Sequence, residues 1–252
     1  MSFADRLRTG ELLFGTSITQ SSPYWLKLAR ELELDFVFLD NEHMPFTREE
    51  LAMLCSAYAA LSVSPIVRIP VPDPTLACMA LDGGAAGIVA PYVETRGQVQ
   101  DLVGAVKYAP LKGQVLSHGI TEDEWPSASR TYLEQRNRER CAIINIESEP
   151  ALARLPELIS VPGLDAVLIG PHDLSISLGV PEDYDHPRFL ESIKTIIESA
   201  RAQDIGAGMH TWWSVEKTRP WFKAGLNMLI HGSDYAAAKR GLGEDVRMLR
   251  EG

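Results

Sequence analysis

Short apolar runs recur along the chain, and four of them end in polar residues. Residues 35–39 run into Asp40, Asn41, Glu42 and His43. Residues 65–67 end in Arg68, residues 142–146 in Glu147, and residues 166–169 in Gly170, Pro171, His172 and Asp173. A short continuous apolar run reads as a strand of a parallel sheet buried on both faces. Eight such strands are predicted, near residues 12–18, 36–40, 65–69, 87–91, 142–147, 166–170, 206–210 and 227–231. Helix-like segments follow each of them, near 23–33, 47–60, 74–82, 96–107, 149–159, 188–203, 214–224 and 234–249. In the sixth of these, Ile193, Ile196, Ile197 and Ala200 recur at the 3–4 residue spacing of one buried stripe. Thr47, Arg48, Glu49 and Glu50 form a capping-box pattern. Pro72-Asp73-Pro74 breaks the chain before the third helix, and Pro150 stands where a first helical turn tolerates proline.

Eight alternating units in 252 residues predict an α/β chain folded as a single-domain (β/α)8 barrel, the TIM-barrel architecture. A doubly wound open sheet is the competing arrangement. It favours a glycine-rich first turn, and Gly15-Thr16-Ser17 does not fit GxGxxG. The stretch from 110 to 140 has no clear strand. It carries Lys112-Gly113-Gln114 and His118 and reads as a functional or interfacial insertion.

Composition narrows the classes. The net charge is −10, which repels phosphate backbones and argues against nucleic acid. No run approaches the roughly 20 apolar residues of a membrane span, and the first residues lack a signal-peptide core. Cys55, Cys78 and Cys141 are odd in number and widely spaced, which fits a reducing cytoplasm and buried apolar roles. No GxSxG or HExxH occurs, and no lysine stands at the strand ends identified above.

Charges at the carboxyl ends of barrel strands read as site-forming. Glu147 and Asp173, on neighbouring predicted strands, fit shared oxygen ligation of one Mg²⁺ or Mn²⁺. Helix capping explains them equally. His43 is a candidate proton acceptor, with Asp40 or Glu42 to fix its tautomer, or an ordinary loop histidine. Arg68 in an apolar strand needs an anion, either a structural carboxylate or an oxyanion that develops during reaction. Gly170-Pro171 either frees the following N–H groups for a substrate carboxylate or makes a simple turn. His210 and His231 end predicted strands and are pocket or core histidines. Trp212-Trp213 reads as a loop wall or subunit contact.

Taken in order, these residues resemble the HpcH/HpaI family of class II, metal-dependent 2-oxoacid aldolases. The matching pieces are residues 36–43, Pro65-Ile66-Val67-Arg68, residues 81–85, residues 88–91, Ile146-Glu147 and residues 169–175, collinear over about 10–240. The resemblance implies a carbon–carbon lyase of the aldehyde-lyase type. It would make or cleave 4-hydroxy-2-oxoacids through a metal-bound pyruvate-type enolate and an aldehyde. It implies a divalent metal (Mg, Mn or Co) on Glu147 and Asp173, Arg68 at the keto oxygen, and His43 with Asp40 managing the proton. Amides around Gly170, His172 and Asp173 would hold the substrate carboxylate. It also implies a homohexamer, a trimer of dimers with the last helix exchanged between partners, and Asp82 near a subunit boundary.

This chain departs from the family pattern at four places. Gln114 stands where the Gly-x-Arg-Gly loop has its arginine, Asn145 replaces a glutamine, Thr16-Ser17 replaces an aromatic, and His172 replaces Ala or Thr. These positions surround the expected metal and proton machinery, so substrate choice is expected to differ there. Two other functions share the barrel. One is a citryl- or malyl-type acid or acyl-thioester lyase; the other is a non-catalytic barrel that binds a 2-oxoacid.

Overall fold

Within each predicted strand the apolar residues divide into two sets of period two. The computed structural model, which describes residues 1–109 and 127–251, shows where the two sets go. Eight parallel strands close into a barrel in chain order: β1 (Leu13–Ile18), β2 (Phe36–Asp40), β3 (Ser64–Arg68), β4 (Gly87–Ala90), β5 (Cys141–Ile146), β6 (Ala166–Ile169), β7 (Gly206–Thr211) and β8 (Met228–Ser233). One set, including Leu13, Phe36, Phe38, Ile66, Val89, Ile143, Leu168 and Ile230, fills the interior. The alternate set, such as Val37, Leu39, Val67, Ile144 and Val167, packs outward against the helices. Gly15 belongs to this packing: a Cβ there would stand 2.6 Å from the Phe36 ring, so the ring takes its place in the barrel.

The helices between strands are α2 (Pro23–Glu31), α3 (Arg48–Ala60), α4 (Pro74–Asp82), α5 (Arg96–Lys107), α6 (Ser127–Asn137), α7 (Glu149–Ala153), α8 (Leu155–Ile159), α9 (Pro171–Ser177), α10 (Pro187–Arg201) and α11 (Val215–Lys223). The capping box at Thr47 forms as expected, with Glu50 returning a bond to the Thr47 N–H. Four features depart from the predicted elements. A first helix, α1 (Phe3–Arg8), was not predicted; it closes the barrel floor with Phe3, Ala4 and Leu7. The segment predicted as one helix over 149–159 is two. Pro156 has no N–H to give and clashes with a continuing turn. α6 occupies the end of the 110–140 stretch, and α9 occupies what reads in sequence as a turn.

The last helix, α12 (Asp234–Glu251), is anchored by buried Asp234, whose carboxylate accepts from the N–H and hydroxyl of Thr19. From residue 237 to 251 every position is exposed. Beside its base lies a cavity of about 390 Å³ against β1 and β8, lined by Trp25, Leu28, Leu32, Phe222 and Leu229. Cys55, Cys78 and Cys141 are buried free thiols. Among the described residues no helix is long and apolar enough to cross a membrane. Lys112, Gln114 and His118 lie outside the described residues.

Candidate active site

Period two carries the interior set upward to a ring of polar residues. Above Phe36 and Phe38 comes Asp40; above Ile66 comes Arg68; above Cys141 and Ile143 comes Asn145; above Ala166 and Leu168 comes Gly170. On the other strands the ring holds Ser17 and His210. These residues line a cavity of about 490 Å³ at the carboxyl ends of the strands, together with His43, His172, Asp173 and Trp212.

Asp40 and Arg68 are register partners on adjacent strands. The guanidinium donates from Nε to Asp40 Oδ1 at 2.9 Å and from Nη2 to Oδ2 at 2.6 Å, a two-pronged pair in which both residues are buried. Nε also lies 3.1 Å from Glu42 Oε2, a charge contact without hydrogen-bond alignment. Nη1 has no acceptor among the described residues. Burial works against both charges, yet the pairing outweighs it. Asp40 is held below the usual carboxylate range and Arg68 is raised. A carboxylate therefore satisfies one side of Arg68, and its other side faces the cavity.

Asp40 does not hydrogen-bond the His43 ring. Its Oδ1 accepts from the main-chain N–H of Glu42 (3.1 Å) and of His43 (3.4 Å), which shapes the loop after β2. The His43 imidazole is more than half exposed at the rim, with Nε2 3.8 Å from Glu42 Oε1. Glu42 in turn accepts from the Tyr92 hydroxyl. Tyr92, a residue without a motif to mark it in the sequence, adopts φ +54° and donates its N–H to Glu147 Oε1 at 2.7 Å. Asn145 Nδ2 donates to Glu147 Oε2 at 2.8 Å. Burial, then the charge of Asp173, raises the Glu147 carboxyl against these donors.

Gly170 leaves Glu147 room that a side chain would crowd. A Cβ there would stand 3.0 Å from Glu147 Oε2 and 3.1 Å from its Cβ. Behind Gly170, α9 carries His172 and Asp173 in its first turn, facing the cavity. His172 Nδ1 is 3.5 Å from Glu182 Oε1. His210 is partly covered by Trp212, ring centroids 4.5 Å apart, and its Nε2 is 3.3 Å from the Gly232 carbonyl. Burial, and then the charge of Arg68, push its imidazole down to about 4. His231 instead lines the cavity beside α12, and Thr16 bonds its carbonyl. Trp213 packs on Tyr184 and Phe189. Asp82 is exposed at the end of α4, at the opposite end of the barrel from this cavity.

The donor set fits a hard divalent cation. Two carboxylates share electrostatic strain that a cation relieves, and buried Asn145 Oδ1 has no partner among the described residues. No cluster of three or more His, Cys, Asp or Glu ligands occurs among the described residues. Water or substrate oxygens would therefore supply the remaining ligands, as Mg²⁺ and Mn²⁺ accept.

The profile of the HpcH/HpaI aldolase/citrate lyase family matches residues 14–239. The chain belongs to that family. Among relatives, a 2-keto-3-deoxy-L-rhamnonate aldolase of Escherichia coli O17:K52:H18 (strain UMN026 / ExPEC) is 29% identical over 99% of this chain and 93% of its own length. Among solved structures, an HpcH/HpaI aldolase from Desulfitobacterium hafniense DCB-2 superposes with a TM-score of 0.86 at 28% identity, covering 100% of this chain and 97% of that one. The citrate synthase SbnG superposes with a TM-score of 0.84 at 25% identity, covering 99% and 98%. This chain is thus an enzyme of an aldolase and lyase family, and the expected barrel is its fold.

Proposed function

We propose that this enzyme is a divalent-metal-dependent aldolase that cleaves or forms 4-hydroxy-2-oxoacids. One observation carries the reading. Asp173 lines the same cavity as an Arg68 that is clamped on one side and free on the other, and the buried Glu147, which feels the charge of Asp173, lies directly behind the cavity residues Asn145 and Gly170.

Glu147 and Asp173 would hold Mg²⁺, Mn²⁺ or Co²⁺, which supplies Lewis acidity toward a 2-oxoacid when bound. Asp40 fixes the plane of Arg68, so Nη1 meets the keto oxygen without reorganisation. The first-turn N–H groups of His172 and Asp173 have no helical acceptor and face a substrate carboxylate. In cleavage, His43 takes the proton of the 4-hydroxyl, the C3–C4 bond breaks and the aldehyde leaves. The electron pair moves toward the keto oxygen, where the positive charge of Arg68 awaits it. Protonation at C3 then gives pyruvate or its homologue. The reverse direction condenses the two. We carry with this reading a homo-oligomer and Asp82 near its subunit boundary.

The test is pyruvate release from a racemic 4-hydroxy-2-oxoacid, with and without EDTA, in wild type and in Glu147→Gln with Asp173→Asn. Release should vanish with EDTA, return with Mg²⁺ or Mn²⁺, and fall at least about 100-fold in the double variant. Activity that survives either treatment overturns the proposal. Exchange of the pyruvate C3 protons in D₂O separates an aldolase from a barrel that only binds 2-oxoacids. A citrate-synthase type of condensation is the second reading, favoured by the likeness to SbnG.

A further inference from the structure

Glu182 stands at the mouth of the cavity, and the fold fixes it there. Its backbone is left-handed, φ +57°. Its N–H donates to the hydroxyl of buried Ser175 at 3.0 Å, and that hydroxyl donates to the His172 carbonyl at 2.7 Å. One buried Ser175 thus ties His172 and Glu182 together, and their side chains meet at 3.5 Å. Tyr184 N–H holds the Glu182 carbonyl at 3.0 Å.

The charges around the cavity are unbalanced. Among the described residues that line it, Arg68 is the one permanent cation, and Asp40 occupies its Nε and Nη2. The carboxylates are Asp40, Asp173 and Glu182. A 2-oxoacid uses the free side of Arg68 at its keto oxygen. Among the described residues, a second carboxylate, on the carbonyl partner, would then find no further arginine or lysine in the lining and would face Glu182. Hydroxyl groups fare differently: they donate to a carboxylate and accept from an imidazole N–H. Trp212, laid over His210, offers an apolar wall to a methyl or methylene group.

We infer that Glu182 is a specificity-determining residue. It selects an uncharged, hydroxylated aldehyde and rejects a carbonyl partner that carries its own carboxylate. The inference rests on the aldolase reading above, and it weighs against oxaloacetate-type acceptors. Like charges roughly 5 Å apart near a surface repel enough to change rates about tenfold.

The experiment uses the full chain loaded with Mg²⁺, with pyruvate and either lactaldehyde or succinic semialdehyde. Wild type should favour lactaldehyde in kcat/KM by about tenfold or more. Glu182→Gln should narrow that ratio. Glu182→Lys should narrow it further or invert it. Glu182 is exposed, and its anchoring bonds are main-chain, so neither variant removes them. Equal use of both aldehydes by wild type, or a parallel change for both in the variants, overturns the inference while leaving the aldolase reading standing. Absence of pyruvate C3 exchange in wild type overturns the aldolase reading and this inference with it.

Discussion

Arg68 serves two carboxylates and a cavity with one guanidinium, so its simplest variant mixes two effects. Arg68→Ala strands Asp40 as a buried unpaired charge, a loss of roughly 3–5 kcal/mol of stability on top of any catalytic loss. Arg68→Lys keeps the charge and removes the planar fork. We expect kcat to fall about 100-fold or more in Arg68→Lys, with a much smaller change in urea midpoint. Parallel losses of turnover and stability would make Arg68 a structural residue. His210 gives a pH prediction. Its imidazole is held down at about 4, against an ordinary value of 6.5. The unfolded chain therefore binds this proton through the window from 6.5 down to 4, and the folded chain does not. Stability from neutral His210 is full above pH 6.5 and is lost as pH falls toward 4. The slope is at most about 1.4 kcal/mol per pH unit. Urea midpoints of wild type and His210→Gln, compared from pH 7 to 4, should show the wild type losing ground to the variant. A difference that stays constant with pH means that His210 is not held neutral.

The junction of β6 and α9 shows how an element positions chemistry. Gly170 lets α9 start hard against Glu147, and a methyl there would push on the carboxylate from 3.0 Å. Gly170→Ala should therefore weaken Mn²⁺ binding about 10- to 100-fold, measured by calorimetric titration, while the barrel stays folded. An unchanged affinity would show that Glu147 does not hold the ion. This junction also marks the limit of what the sequence displayed. The strands were legible because most are short apolar runs buried on both faces, and in four of them a polar residue at the end is conspicuous. α9 was not, since seven residues opened by Gly-Pro look like a turn. α1 was not, because Phe3, Ala4 and Leu7 gain their partners only once the barrel floor exists. Asp40, Arg68, Glu147 and Asp173 could be assigned to one end of the barrel from period and order alone. That Asp40 binds Arg68 rather than the His43 ring depends on register between strands 28 residues apart in sequence. Tyr92 and Glu182 owe their placement to left-handed backbones at non-glycine residues, for which a sequence carries no signal.

At the scale of the molecule, the barrel is closed in its strands and open in its helices. α12 leaves the wall after Asp234, and the cavity of about 390 Å³ against β1 and β8 lies where a continuing helix would pack. Leu242, Val246 and Leu249 follow one another at spacings of 4 and 3 on this helix, and all are exposed. That spacing puts them on one face. Among the described residues, a single chain thus presents both an exposed apolar stripe and an apolar groove. Burying each stripe residue against another protein surface is worth roughly 1.5–3 kcal/mol. The groove at the base of the helix cannot be filled by the outward-running part of the same helix, but a second copy can bring its own. We therefore expect the full chain to assemble with its last helix exchanged, as a dimer or a multiple of one, in light scattering coupled to size exclusion. Deleting residues 237–252 should leave a chain that no longer pairs, unfolds at lower urea and binds a hydrophobic dye at the uncovered groove. A full chain that is monomeric at micromolar concentration, or a truncated chain that pairs as well as the intact one, would rule out the exchange.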